Sequence, residues 1–214
     1  MRLSISILTI LINFWVSSQT QHVGVNGGIH WANIKSDNFI GSKGGKTGSV
    51  FGVSYQTEFS NKLILGSELL YIQKGFKGFM SFLDSSGNPE NVNSEFNYDY
   101  LSLPVKAGFS VGDKFAGYLI LGISPCFLLK AQTITSAHYN SSGEIYEVRD
   151  LMKKMDFSAL FEIGTTYSFT KKISAFTSIS YQRSFISITS ENYFFQSKIR
   201  HVGASLKFGL WYKI

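Results

Sequence analysis

The sequence predicts an all-β fold, an eight-stranded antiparallel up-and-down transmembrane β-barrel, and three observations predict it. First, apolar residues recur with a period of two, as in "HVGASLKFGLWYKI" (201–214), where Val202, Ala204, Leu206, Phe208, Leu210, Tyr212 and Ile214 share one phase. A period of two specifies strand and not helix. Second, the connections between such segments alternate long and short. Third, the apolar phase carries bulky side chains and the opposite phase carries glycine, serine and a few charges. A soluble barrel has the reverse distribution, and lipid is the solvent that tolerates a continuous apolar exterior.

Residues 1–18, "MRLSISILTILINFWVSS", precede the pattern. One charge at Arg2, an apolar run from Leu3 to Val16 and small residues at the end read as a secretory signal peptide. Cleavage is expected after Ser18, with Thr20 as the other position. The run is short for a membrane anchor helix and is broken by Ser4, Ser6, Thr9 and Asn13. Residues 19–214 then form one barrel domain.

The strands follow in order. Residues 23–33 set Val23, Val25, Ile29 and Trp31 on one side, with Gly24, Gly27 and Gly28 weakening the pattern. Residues 49–59 set Phe51, Val53, Tyr55, Thr57 and Phe59 against Gly52, Ser54 and Glu58. Residues 63–74 set Leu63, Leu65, Leu69 and Tyr71 against Gly66, Glu68 and Lys74. Residues 100–109 set Leu101, Leu103, Val105, Ala107 and Phe109 against Tyr100, Ser102, Pro104 and Lys106. Residues 115–130 set Phe115, Leu119, Leu121, Ile123, Phe127 and Leu129 against Gly122, Ser124, Cys126 and Lys130. Residues 155–169 set Met155, Phe157, Phe161, Ile163, Tyr167 and Phe169 against Asp156, Ser158, Glu162 and Gly164. Residues 173–184 set Ile173, Ala175, Ile179 and Tyr181 against Ser174, Ser178, Ser180 and Gln182, and residues 201–214 complete the set.

The short connections are 60–62, 110–114 and 170–172; the long ones are 35–48, 75–97, 131–153 and 189–198. Tight turns force antiparallel neighbours, so all long loops are expected at one end and both chain ends at the other. Pro104 and Pro125 fall within strands, and a closed barrel has no edge to accommodate them. Each is expected at a bulge or at a loosened ladder.

An eight-stranded barrel has room inside for side chains but no open channel. A buried charge needs a partner, so Glu68, Asp156 and Glu162 are expected to pair with Lys106 and Lys207 across the lumen and plug it. A narrow ion path is the other use of the same residues. Outside, two aromatic belts are expected at the two membrane interfaces. Phe59, Phe109, Phe115, Tyr167, Phe169 and Tyr212 fall near the tight turns, and Trp31, Tyr71, Phe127, Phe157 and Tyr181 near the long loops.

The chain ends with a polar residue, a glycine, an aromatic and a hydrophobe at Lys207, Gly209, Tyr212 and Ile214. This resembles the outer-membrane assembly signal of bacterial β-barrels, with Ile in place of the usual terminal Phe. It implies the barrel assembly machinery as a partner and the outer membrane of a Gram-negative bacterium as the location. "GSELLYIQKG" (66–75) and "YLSLPVKAG" (100–108) complete a resemblance to the small outer-membrane β-barrel family of Bacteroidota, the PorT-like outer membrane protein beta-barrel domain. One branch of that family serves a secretion system, so the resemblance implies a role in secretion or envelope assembly.

Composition narrows the function classes. Charged residues make up 16% of the chain, against about 25% in an average soluble domain. The formal net charge of +6 falls by one when Arg2 is removed, and no basic cluster marks a nucleic-acid surface. Lys171-Lys172 and Lys153-Lys154 read as solvated turn charges. Cys126 is the single cysteine, best read as a small buried hydrophobe. No Cys/His spacing indicates a metal, and no cofactor motif is present. The leading expectation is a non-enzymatic barrel in the lipid bilayer that meets an extracellular or envelope partner through its long loops, with Phe76, Phe79, Phe82, Tyr139 and Tyr146 as contact candidates. A lipid-modifying or proteolytic barrel would draw on His30, His138, His201 and Ser136, which no spacing joins into a triad. A soluble lipocalin-like carrier is the third reading.

Overall fold

The computed structural model describes residues 19–36, 42–83, 86–137, 142–190 and 198–214. The expected signal segment 1–18 lies outside them, as do His138 and Tyr139. The elements are β1 (Gln19–Ser36), β2 (Ser42–Phe59), β3 (Leu63–Leu83), β4 (Pro89–Ser102), β5 (Val105–Gly112), β6 (Phe115–Thr135), β7 (Ile145–Glu147), a 3-10 turn at Arg149–Leu151, β8 (Met155–Ser168), β9 (Ile173–Ser184) and β10 (Ile199–Lys213). Each main strand pairs antiparallel with its sequence neighbour, and β10 returns to β1. β4 and β5 are two halves of one barrel strand, since both lie between β3 and β6. The result is a closed eight-strand ring, with β7 paired to β6 outside it.

The stagger follows from the register. From Val23 the paired residues run through Tyr55, Ser67, Val105, Ile123, Ala159, Arg183 and Val202, and return to β1 at Asn33, ten residues on. A stagger of ten over eight strands tilts them about 40° from the axis. Phe157 and Tyr167, on the two belts of β8, are ten residues apart. That separation is about 33 Å along the strand and about 25 Å along the axis, the height of the apolar band of an outer-membrane barrel.

The bulky apolar phase faces outward. Val25, Phe51, Leu121, Ile163 and Leu210 are all exposed on the outer wall. Glu68, Lys106, Asp156, Glu162 and Lys207 are buried inside. This distribution overturns the soluble-carrier reading, whose greasy face would be enclosed.

Three expectations need correction. The connection 75–97 is largely a hairpin that extends β3 and β4, pairing Phe76 with Phe96 and Phe82 with Glu90. Likewise β2 begins at Ser42 and β6 runs to Thr135, so the barrel wall continues well beyond the bilayer. Lys130 is exposed and not luminal: Asp99 pairs with Lys130 but Tyr100 pairs with Leu128. Leu129 is thus an extra residue, and a bulge of this kind switches every later side chain to the other face. Third, the lumen is not filled by small and ionic groups alone. Its loop-end half holds an apolar core that includes Ile72, Phe76, Phe96, Tyr98, Tyr100, Leu128 and Ile199.

The prolines meet at one break. The ladder lapses at Leu103–Pro104, where the Leu103 N–H donates to the Pro125 carbonyl at 2.9 Å and the Glu68 N–H to the Pro104 carbonyl at 3.0 Å. A strand residue points its N–H and C=O the same way. The donor that Pro125 lacks would therefore face this break, where no regular pair needs it.

Candidate functional site in the barrel lumen

The lumen is built in layers. Glu68 on β3, Lys106 on β5, Glu162 on β8 and Lys207 on β10 project inward to one level and close a ring of alternating sign. Lys106 Nζ lies 2.8 Å from Glu68 and 3.4 Å from Glu162; Lys207 Nζ lies 2.9 Å from Glu68 and 3.0 Å from Glu162. All four are at most 5% exposed. Ser54 Oγ donates to Glu68 at 3.2 Å and the Tyr118 hydroxyl to Glu162 at 3.4 Å. Two cations and two anions cancel, so the desolvation that would forbid any one of them is offset by two partners each.

Asp156 does not join this ring, contrary to the expected pairing with Lys106 and Lys207. It forms a second layer nearer the loops, 3.0 Å from Lys74 and accepting from Ser184 Oγ at 2.8 Å. Lys74 also lies 3.6 Å from Cys126 Sγ and over the Tyr100 ring at 5.0 Å. His201 packs edge-on against Tyr98 and Tyr100 and meets the Tyr100 hydroxyl at 3.4 Å. Lys74 has no partner in the charge pairing expected from the sequence, although it shares the even-numbered inward phase of Glu68.

Toward the tight turns, Trp211 and Phe176 stack at 5.1 Å beneath the ring. Glycine makes the space: a Cβ on Gly24 would meet the Trp211 ring at 2.6 Å, and one on Gly209 the Phe176 ring at 2.4 Å. Below them is a polar basin of about 450 Å³ lined by Glu58, Lys62, Asp113, Lys171 and Lys213, among others. Glu58 accepts from Ser110 Oγ at 2.7 Å there.

Of the expected belts, Trp31, Phe109, Phe115, Phe127, Phe157, Tyr167, Phe169, Tyr181 and Tyr212 are exposed on the outer wall. Tyr71 is half-buried beside Phe51, ring centroids 5.0 Å apart. Phe59 departs from the expectation: it is buried and lines the basin at the turn-end mouth, because the ladder ends there and no longer imposes alternation. In the closing strand Lys207 is luminal, Gly209 faces Phe176, Tyr212 is outward and Ile214 N–H donates to the Gln21 carbonyl at 3.0 Å. Phe76 is fully buried, stacked on Phe96 at 4.3 Å, so no partner can reach it. Phe79 and Tyr146 are half-buried, and the Phe82 side chain lies outside the described set. His30 Nδ1 meets Ser205 Oγ at 2.8 Å, both buried on the luminal face; Ser136 is exposed at the far rim.

The sequence model of the family described as outer membrane protein beta-barrel domain matches residues 17–190. The chain belongs to that family. It is a small barrel of the bacterial outer membrane, and its apolar wall faces the lipid bilayer. Among solved structures, this outer-membrane barrel is similar to Neisserial surface protein A at 12% identity, covering 92% of this chain and 99% of that one with a TM-score of 0.49. It is similar to OprG from Pseudomonas aeruginosa at 14% identity, 92% and 98% coverage and a TM-score of 0.47. The outer membrane protease OmpT from Escherichia coli follows at 7% identity, 93% and 98% coverage and 0.47. No curated protein matches the chain.

Proposed function

We propose that the protein is a non-enzymatic barrel whose lumen is sealed by paired charges and whose loop end binds an extracellular or envelope partner. The observation that carries this reading is the closed ring of Glu68, Lys106, Glu162 and Lys207, each ammonium touching both carboxylates. A group committed on both sides is not free to pass an ion or to act on a substrate. The absence of catalytic chemistry is part of the same proposal: His30 and His201 are enclosed by the wall and the apolar core, where a lipid or peptide substrate has no entry. The "GSELLYIQKG" and "YLSLPVKAG" stretches support placing it with the PorT-like barrels of Bacteroidota and a role in secretion or envelope assembly. The extended β3–β4 hairpin, with half-buried Phe79 at its side, is the surface offered to a partner.

Planar-bilayer recording tests the plug. The refolded protein should carry no steady current, and Glu68→Gln/Lys207→Gln should still carry none, since the apolar core and the Trp211–Phe176 stack continue to fill the lumen. A steady wild-type current rejects the plug. Phospholipid turnover by the purified, refolded protein rejects the non-enzymatic reading.

A further inference from the structure

Three cations meet on the outer wall at the loop end. Lys35 on β1 is the direct cross-strand partner of Arg200 on β10. Arg183 on β9 pairs with Val202, which places it diagonal to Arg200 on the same outward face. Lys35 and Arg183 are exposed and Arg200 is half-buried. Like charges directly opposite one another destabilise a ladder. Among the described residues, no ion pair includes any of the three. Other rim lysines do find carboxylates, Lys46 and Lys77 at Glu95 and Lys62 at Asp113.

A second observation points the same way. Arg200 Nε is buried with no hydrogen-bond partner. It lies beside a cleft of about 310 Å³ lined by Ala159, Arg183, Ser184, Phe185 and Arg200. Both arginines thus line one hollow, and the planar fork of arginine matches the oxygens of phosphate.

The depth selects the source of that phosphate. Arg183 lies two residues beyond Tyr181; of the same aromatic belt, Phe157 is on the neighbouring β8 and Trp31 is on β1 with Lys35. This belt marks headgroup depth. Directly toward the membrane centre the wall is apolar, with Ile179 and Phe161 exposed. We infer that Lys35, Arg183 and Arg200 form a binding site for the phosphate head group of an anionic lipid in the loop-side leaflet. The phosphate takes the cleft between the arginines, cancels the Lys35–Arg200 repulsion, and its acyl chains lie along the apolar wall. This site is independent of the luminal ring.

Trp31 supplies the reporter. It is exposed on the outer wall, whereas Trp211 is enclosed in the lumen. The chain from Gln19 is refolded into phosphatidylcholine vesicles that contain brominated phosphatidic acid or, in parallel, brominated phosphatidylcholine. Quenching should give phosphatidic acid about a fivefold or greater preference beside Trp31, the value of one well-placed cation near an anionic headgroup. Arg183→Gln/Arg200→Gln should remove most of the preference, and Lys35→Gln should lower it part-way, while Lys171→Gln/Lys172→Gln at the other end should leave it unchanged. Folding is checked by heat-shifted gel mobility. If the double variant does not fold, Lys35→Gln and a salt titration of the wild type decide, since the preference must fall as screening rises. No wild-type preference, or one that survives in folded Arg183→Gln/Arg200→Gln, overturns the inference. So does displacement of the lipid by inorganic phosphate at an ionic strength where chloride has no effect, which would make the ligand a free anion.

Discussion

The luminal ring makes a quantitative prediction for Glu68→Gln. Glu68 contacts both ammonium groups, Lys106 at 2.8 Å and Lys207 at 2.9 Å, so its neutralisation leaves two buried lysines sharing Glu162 alone. Removing one partner from a buried ion pair costs about 3–5 kcal/mol, because the charge left behind is uncompensated. Glu162→Gln should cost less, toward the lower end of that range, since one of its contacts is longer at 3.4 Å against 3.0 Å for the other. Glu68→Met/Lys207→Met should recover much of the loss. It removes one charge of each sign and leaves Lys106 paired with Glu162, and apolar replacement of a buried pair is often neutral or better. The assay is reversible urea unfolding in lipid vesicles, followed by tryptophan fluorescence and read as a double-mutant cycle. Two results would refute the reasoning. One is a Glu68→Gln loss under about 1 kcal/mol, the scale of a solvated surface pair. The other is a double variant weaker than Glu68→Gln alone.

Further predictions concern packing, access and pH. Gly209→Val should destabilise the barrel by about 1–3 kcal/mol through overpacking, since its Cβ would meet the Phe176 ring and the Val25 carbonyl; Gly117→Ala, with nothing within 4 Å, is the control in the same unfolding assay. Cys126 is fully buried beside Lys74. It should resist maleimide in the folded barrel and react on unfolding, as mass spectrometry can follow; labelling of the folded protein would show that the loop-end core opens. At the rim, burial tends to raise the Glu95 carboxyl, but Lys46 and Lys77 prevail and hold it below its ordinary value of 4.5. A lowered carboxylate stabilises the fold fully above its unfolded pKa and loses that contribution as pH falls through the folded value. Protection of the β3–β4 hairpin amides against exchange, corrected for the pH dependence of the intrinsic rate, should therefore fall below pH 4.5 in the wild type, and Glu95→Gln should show the lower protection already at neutral pH.

Much of the lumen was legible because a strand offers two faces and no more. Glu68, Lys106, Glu162 and Lys207 each have a glycine two residues away in the phase opposite a greasy one, which assigns them to the inside. Their meeting at one level was not legible, nor was the pairing of Asp156 with Lys74. Contact across the lumen joins residues far apart in sequence, Lys207 to Glu68 for example, and depends on the ten-residue stagger around the ring. Phe76 misled for a related reason. It lies in a polar, glycine-containing stretch that reads as loop, yet pairing with Phe96 carries the strand past the bilayer and encloses the ring.

The sequence by itself determined the strand order, the tight-turn end and the face given to lipid, because alternation and turn length are local and fix direction strand by strand. Only the tertiary structure decided where the wall stops, where the Leu129 bulge turns Lys130 outward, and which charges become neighbours. Those are consequences of closure: the last strand must meet the first in a definite register, and the stagger that results sets the height of every inward side chain.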